Sequence, residues 1–109
     1  MKLLLTIVQD ADGIKLQKAL IEGGFRATKL ATTGGFLRAG NTTFLIGVDD
    51  AQVARVKEII AKTCQERTQM MAAGPSISSL EDAYMSQPLE VTVGGAIIFV
   101  VNVEEFAKL

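Results

Sequence analysis

Apolar residues open the chain on both parities: Leu3, Leu5 and Ile7 alternate with Leu4, Thr6 and Val8, the pattern of a strand buried on both faces of a sheet. Leu16, Ala19, Leu20 and Gly23 then recur at helical spacing. Asp10-Ala11-Asp12 offers that helix an N-cap and negative charge at its start, and Gly23-Gly24 stops it. From Phe25 to Thr33 the period drops to two, with Arg26, Thr28, Leu30 and Thr32 on one face of a second strand. A third strand is predicted over Asn41–Val48, where Asn41, Thr43, Leu45 and Gly47 share one face and Phe44, Ile46 and Val48 the other. Between these strands, Gly34-Gly35-Phe36-Leu37-Arg38-Ala39-Gly40 holds three glycines in seven positions and reads as a loop joining antiparallel neighbours.

Asp49 with Gln52 three residues on resembles a capping box, and Val53, Val56, Ile60 and Cys64 form the apolar stripe of a second helix. After Arg67 the texture changes. Thr68–Glu90 holds both prolines, Gly74, four serines and three of the four methionines, a composition expected of a mobile loop. Val91-Thr92-Val93 and Ala96 to Val103 read as two strand pieces meeting at Gly94-Gly95. The order is βαββαβ with a long loop before the last strand, the α+β order of a ferredoxin-like sandwich with both helices on one sheet face. Its other face needs covering. Leu4, Val8, Ile98 and Val100 are the candidates for a second apolar face, and self-association is the economical way to bury it.

At 109 residues the chain has room for one domain, spanning 1–109. A formal net charge of −1 implies no general electrostatic grip on nucleic acid or anionic lipid, so any phosphate must be met locally. The absence of His removes imidazole bases and His-containing metal sites, and a lone Cys64 without an imidazole partner reads as a small core hydrophobe. Without His, no acid, base and nucleophile set can be assembled, and an enzyme is the weakest reading. The opening apolar run is too short to cross a bilayer, and a cytoplasmic protein is expected.

The stretch from Phe25 to Thr43 is where chemistry could reside. It pairs guanidinium and hydroxyl groups with glycine N–H groups, the set a phosphate needs, and places Phe36 and Leu37 at a loop tip that a flat base could cover. Asn41 carries the paired donor and acceptor suited to an adenine edge. Plainer readings compete at each position: Gly34-Gly35 and Gly40 as turn residues, Arg26 as a solvated strand charge, Thr28 as a good strand former. Met70-Met71 fits loop packing, and Asp49-Asp50 fit helix capping better than metal ligation.

The run FRATKLATTGGFLRAGNTTFL, with the later EVTVGGAIIFVV, closely resembles the bacterial cyclic di-AMP receptor proteins of the PII-like superfamily. The resemblance implies a homotrimer of ferredoxin-like subunits that binds one cyclic di-AMP in each cleft between neighbours, without catalysis or further cofactor. It places Arg26 and Thr28 near the phosphates and Gly35, Phe36 and Leu37 around a base. Asn41 would hydrogen-bond that adenine, and Gly47 and Phe99 would line the pocket. In nitrogen-regulatory PII proteins the loop after the second strand is the long effector arm; here that loop is short and the later one long, so the downstream protein partner should differ. An ATP-sensing PII-type regulator is the alternative.

Overall fold

A computed structural model describes residues 1–30, 40–71 and 89–109. Strand β1 (Lys2–Gln9) runs into helix α1 (Asp10–Glu22), and β2 (Thr28–Lys29) precedes β3 (Asn41–Val48). A short 3₁₀ turn (Asp50–Gln52) leads into α2 (Val53–Thr63), followed by β4 (Arg67–Met71), β5 (Leu89–Val93) and β6 (Ala96–Asn102). One sheet has the order β2-β3-β1-β6, all ladders antiparallel, and β4 and β5 pair as a separate two-stranded ladder. This small α+β arrangement, an antiparallel sheet with two helices, is compatible with the ferredoxin-like order read from the pattern.

Both helices bury their stripes on the same sheet face. Leu16 and Leu20 of α1 and Val56 and Ile60 of α2, with Cys64 just beyond it, join Leu4, Val8, Phe44, Ile46 and Val48 in one core, completed by Phe25. Each such side chain contributes about 1.5–3 kcal/mol on removal from water. Leu4 and Val8 are therefore not part of a second apolar face, as their alternation had allowed. They lie under the helices, with Ile98 packed against the same core and Val100 paired with Leu4 beside it. The face without helices carries the other parity, Leu3, Leu5 and Ile7 on β1, Leu45 on β3, and Ile97, Phe99 and Val101 on β6. A strand apolar on both faces leaves its own parity open, and the helix stripes decide it.

Several local readings change as well. The N-cap of α1 is Gln9, without a side-chain cap bond. Asp10 is the first helical residue; its carboxylate accepts from Thr42 Oγ1 at 2.5 Å and its N–H donates to the Gly40 carbonyl at 2.9 Å. The Asp49–Gln52 capping box does not form: Asp49 makes no side-chain cap bond, and Gln52 N–H donates to the Asp49 carbonyl within the 3₁₀ turn. Capping geometry depends on backbone angles at the junction, which residue type alone does not set.

Phe25 closes α1 instead of opening a strand, its N–H donating to the Leu20 carbonyl at 2.8 Å and its ring entering the core. The second strand starts at Thr28, and Leu30 N–H still donates to the Thr43 carbonyl at 2.8 Å; Thr32 and Thr33 lie outside the described residues. Both ends of the expected loop Thr68–Glu90 are strand, with Thr68 opposite Thr92 and Met71 opposite Leu89. Composition disguised this ladder, because its two halves are short and 17 residues (72–88) intervene. The expected mobility of that stretch falls on residues 72–88, outside the described residues.

Candidate ligand-binding site

Two of the polar residues that sequence reasoning singled out, Thr28 and Asn41, lie on the open face of the sheet. Thr28 stands opposite Leu45, Leu45 opposite Leu5, and Leu5 opposite Phe99, so these four form one row across β2, β3, β1 and β6. At about 4.8 Å per strand, Thr28 and Phe99 are roughly 14 Å apart. Gly47 lies in the next row, opposite Leu3, and Arg26 sits exposed just before β2 toward the same end. Asn41 begins β3 at the opposite end, paired with Gln9. Six residue steps along the strand separate it from Gly47, roughly 20 Å.

The face is thus shared, but one copy of the chain does not gather its residues at one point. A hollow of about 590 Å³ is lined by Ile21, Gly24, Phe25, Arg26, Ala27 and Thr28. A second, of about 300 Å³, sits at the other end, where Asn41, Gln9, Glu66, Gly94, Gly95 and Ile97 are among its walls. Phe99 is on the far edge, its side chain 54 % exposed. Gly35, Phe36 and Leu37 lie outside the described residues.

Gly47 is informative because nothing among the described residues explains it. A Cβ built there would meet only Met1 Cε, at 3.9 Å, and its φ is not positive. Glycine inside a strand weakens it, and it often stands where the chain bends or where a ligand or another backbone comes close. Gly94 is the contrasting case. Its φ of 86° favours glycine, and a Cβ would collide with the Gln65 carbonyl and come within 2.7 Å of Arg67 Nη1.

That contact belongs to a cluster the sequence did not reveal. Asp12, 1 % exposed in the first turn of α1, is held by Arg67 at the start of β4: Nη2 donates to Oδ1 at 2.9 Å and Nη1 approaches Oδ2 at 3.4 Å. Arg67 Nη1 also donates to the Gln65 carbonyl at 3.0 Å, and the hydrogen bond it gives to Asp12 raises the guanidinium pKa above its ordinary value. Gly94 N–H donates to Gln9 Oε1 at 2.8 Å, and Gly95 N–H to the Cys64 carbonyl at 2.5 Å. No spacing rule links Asp12 to a guanidinium 55 residues away. The helix start predicted for Asp12 accounts for its charge but not for its burial.

Cys64 has the core role expected of it. Burial first, and the Asp12 charge second, push its thiol up to about 11, so it is no activated nucleophile. Among the described residues no three His, Cys, Asp or Glu side chains are grouped to hold a metal ion, and no helix is long and apolar enough to cross a membrane.

Comparison with known proteins settles the family. The family model for cyclic-di-AMP receptors matches residues 1–109. This chain belongs to the cyclic-di-AMP receptors. Among solved structures, this receptor-family chain is similar to a functionally unknown protein from Pediococcus pentosaceus, with 42 % identity and a TM-score of 0.75 over 99 % of this chain and 96 % of that one. The family bears out the resemblance carried by the Phe25–Leu45 run. The residue roles within it are not part of that match.

Proposed function

We propose that the chain is a signal-transduction receptor that binds cyclic di-AMP on the open sheet face, in clefts between copies of a homotrimer, and performs no catalysis. The match of the whole chain to the cyclic-di-AMP receptor family carries this reading. The split geometry supports the placement between copies: Arg26, Thr28 and Gly47 lie at one end, Asn41 at the other and Phe99 on the far edge, so a second copy must supply what one lacks. An open face bearing Ile97 at 57 %, Phe99 at 54 % and Val101 at 44 % exposure also favours association before any ligand arrives.

In this arrangement Arg26 and Thr28 meet the phosphates through charge-assisted and hydroxyl hydrogen bonds. Asn41 reads the adenine edge, Gly35, Phe36 and Leu37 surround the base, and Gly47 and Phe99 line the pocket. A guanine would leave its O6 and N2 groups unmatched, at about 1–3 kcal/mol per buried unpaired group. The signal leaves through the segment joining β4 to β5, toward a protein partner of the cytoplasm.

Calorimetric titration with cyclic di-AMP, cyclic di-GMP and ATP tests the reading. Cyclic di-AMP should bind at least about tenfold more tightly than cyclic di-GMP, with Asn41→Ala and Arg26→Ala each weakening it while the oligomer persists. Preference for ATP would instead favour a PII-type regulator. Sedimentation showing a ligand-free monomer would overturn the trimer.

A further inference from the structure

Among the described residues, the β4–β5 hairpin is attached to the rest of the chain by a small set of contacts beside the Asn41 hollow. At its β4 end Arg67 is fixed on both sides, by the buried Asp12 carboxylate and by the Gln65 carbonyl. At its β5 end Gly94 and Gly95 give their N–H groups to Gln9 Oε1 and the Cys64 carbonyl. The two ends touch each other, because the guanidinium occupies the space that a side chain on residue 94 would fill. Gln9, which takes the Gly94 N–H, is the residue opposite Asn41 in the ladder, and Gln9, Asn41, Gly94 and Gly95 all line the same hollow.

We propose that Arg67, clamped between Asp12 and the bare face of Gly94, is a positioning residue that couples the β4–β5 hairpin to the Asn41 end of the ligand site. The coupling step rests on the cyclic di-AMP reading; the clamp itself does not.

Three physical features carry the assignment. A carboxylate that is 1 % exposed has to stay paired, so Asp12 holds Arg67 in one place, whereas a surface pair would let it wander. The contact is forked, and only a planar guanidinium reaches both Asp12 oxygens and the Gln65 carbonyl together; a lysine ammonium keeps the charge but not the fork. The wall formed by Gly94-Gly95 has no side chains of its own, so its position depends on the backbone bonds to Gln9 and Cys64 and on the guanidinium beneath it. A ligand group that presses on this wall shifts the same backbone that starts β6 and ends β5. Coupling of this kind is reciprocal: whatever loosens the hairpin must weaken the ligand, and ligand must tighten the hairpin.

The test uses Arg67→Lys, which retains the positive charge beside Asp12, and the neutral double variant Asp12→Asn/Arg67→Gln, which leaves no buried charge unpaired if the lysine variant folds poorly. Hydrogen exchange is followed at Arg67–Met71 and Leu89–Val93, with the β1–β3 ladder as the control for global folding, and cyclic di-AMP affinity is measured on the same samples. Hairpin amides should exchange at least about tenfold faster in either variant while the β1–β3 ladder keeps its protection, and affinity should fall about five- to tenfold although Arg67 does not line the Asn41 hollow. In the wild type, cyclic di-AMP should slow hairpin exchange.

Hairpin protection equal to wild type in both variants overturns the clamp. Faster hairpin exchange with unchanged affinity overturns the coupling. A wild type that does not bind cyclic di-AMP overturns the ligand reading and the coupling with it, while the ligand-free exchange data still decide the clamp.

Discussion

The two faces of the β2-β3-β1-β6 sheet are built from the same strands and present opposite surfaces. On the helix-covered face Leu4, Phe44 and Ile46 are completely buried. On the other, Phe99 and Ile97 keep more than half of their surface in contact with solvent, although they are as apolar as anything in the core. Hydrophobicity therefore does not distinguish covered from open positions here. What distinguishes them is whether the chain supplies its own cover, and a face left open after folding is available to a second copy and a ligand.

Two glycines make the contrast concrete. Gly13 of α1 is buried, and a Cβ there would come within 3.3 Å of Thr42 Oγ1, so its bareness lets helix and sheet approach. Gly47 on the open face meets nothing nearer than 3.9 Å. The first glycine serves packing within the chain; the second has no such packing contact among the described residues and stands on the face proposed to receive the ligand.

The largest expected effect separates two phenylalanines. Phe44→Ala should lose about 3–5 kcal/mol of stability in urea unfolding, because it empties a fully buried site. Phe99→Ala should act mainly on assembly and cyclic di-AMP affinity. If Phe99→Ala loses as much stability as Phe44→Ala while assembly and cyclic di-AMP affinity stay unchanged, the faces are not functionally distinct.

Next in size is Cys64 at the edge of the covered face. With its thiol pushed up to about 11 from an ordinary value of 9.0, labelling in the native state near pH 8 should be slower than in unfolded protein by about a hundredfold from thiolate fraction alone. The sign follows from the raised pKa: the folded state holds the proton more tightly, so this contribution to stability is complete below about pH 9 and is lost as pH rises toward 11. Labelling as fast in native as in unfolded protein would break the assignment of Cys64 to the core.

A smaller effect sharpens the glycine comparison. Gly47→Val should leave thermal unfolding nearly unchanged, within about 0.5 kcal/mol, while weakening cyclic di-AMP about tenfold. Gly13→Val should do the reverse. Swapped outcomes would mean that Gly47 is there for packing.

The smallest effect tests the covered face from the opposite direction. Thr6 is fully buried there, and its Oγ1 has no hydrogen-bond partner among the described residues. Thr6→Val should stabilise the fold by about 1 kcal/mol, since an unpaired hydroxyl is replaced by a methyl of similar size. A loss of stability would reveal a partner for that hydroxyl.

The strand that carries Asn41 and Gly47, two residues of the candidate site, was legible because local pattern encodes it. β3 runs over the predicted Asn41–Val48, and period two put Asn41, Thr43, Leu45 and Gly47 on one face before any partner strand was known. The Val53, Val56, Ile60 and Cys64 stripe likewise met the core it implied, since a helix with one apolar side has one way to bury it. The Phe25–Leu45 run was specific enough to indicate the receptor family.

The chain by itself thus determined both helices, the strands β1, β3 and β6 and its family, all properties carried by neighbours within a few residues or by one continuous motif. Tertiary structure alone decided which parity of β1 faces the helices, that Thr68 and Thr92 face each other across a ladder, and that Asp12 is buried against Arg67. Each of these depends on groups brought together from distant parts of the chain. A strand apolar on both sides fits the core either way up, and an aspartate at a helix start satisfies the dipole whether or not a guanidinium arrives to cover it.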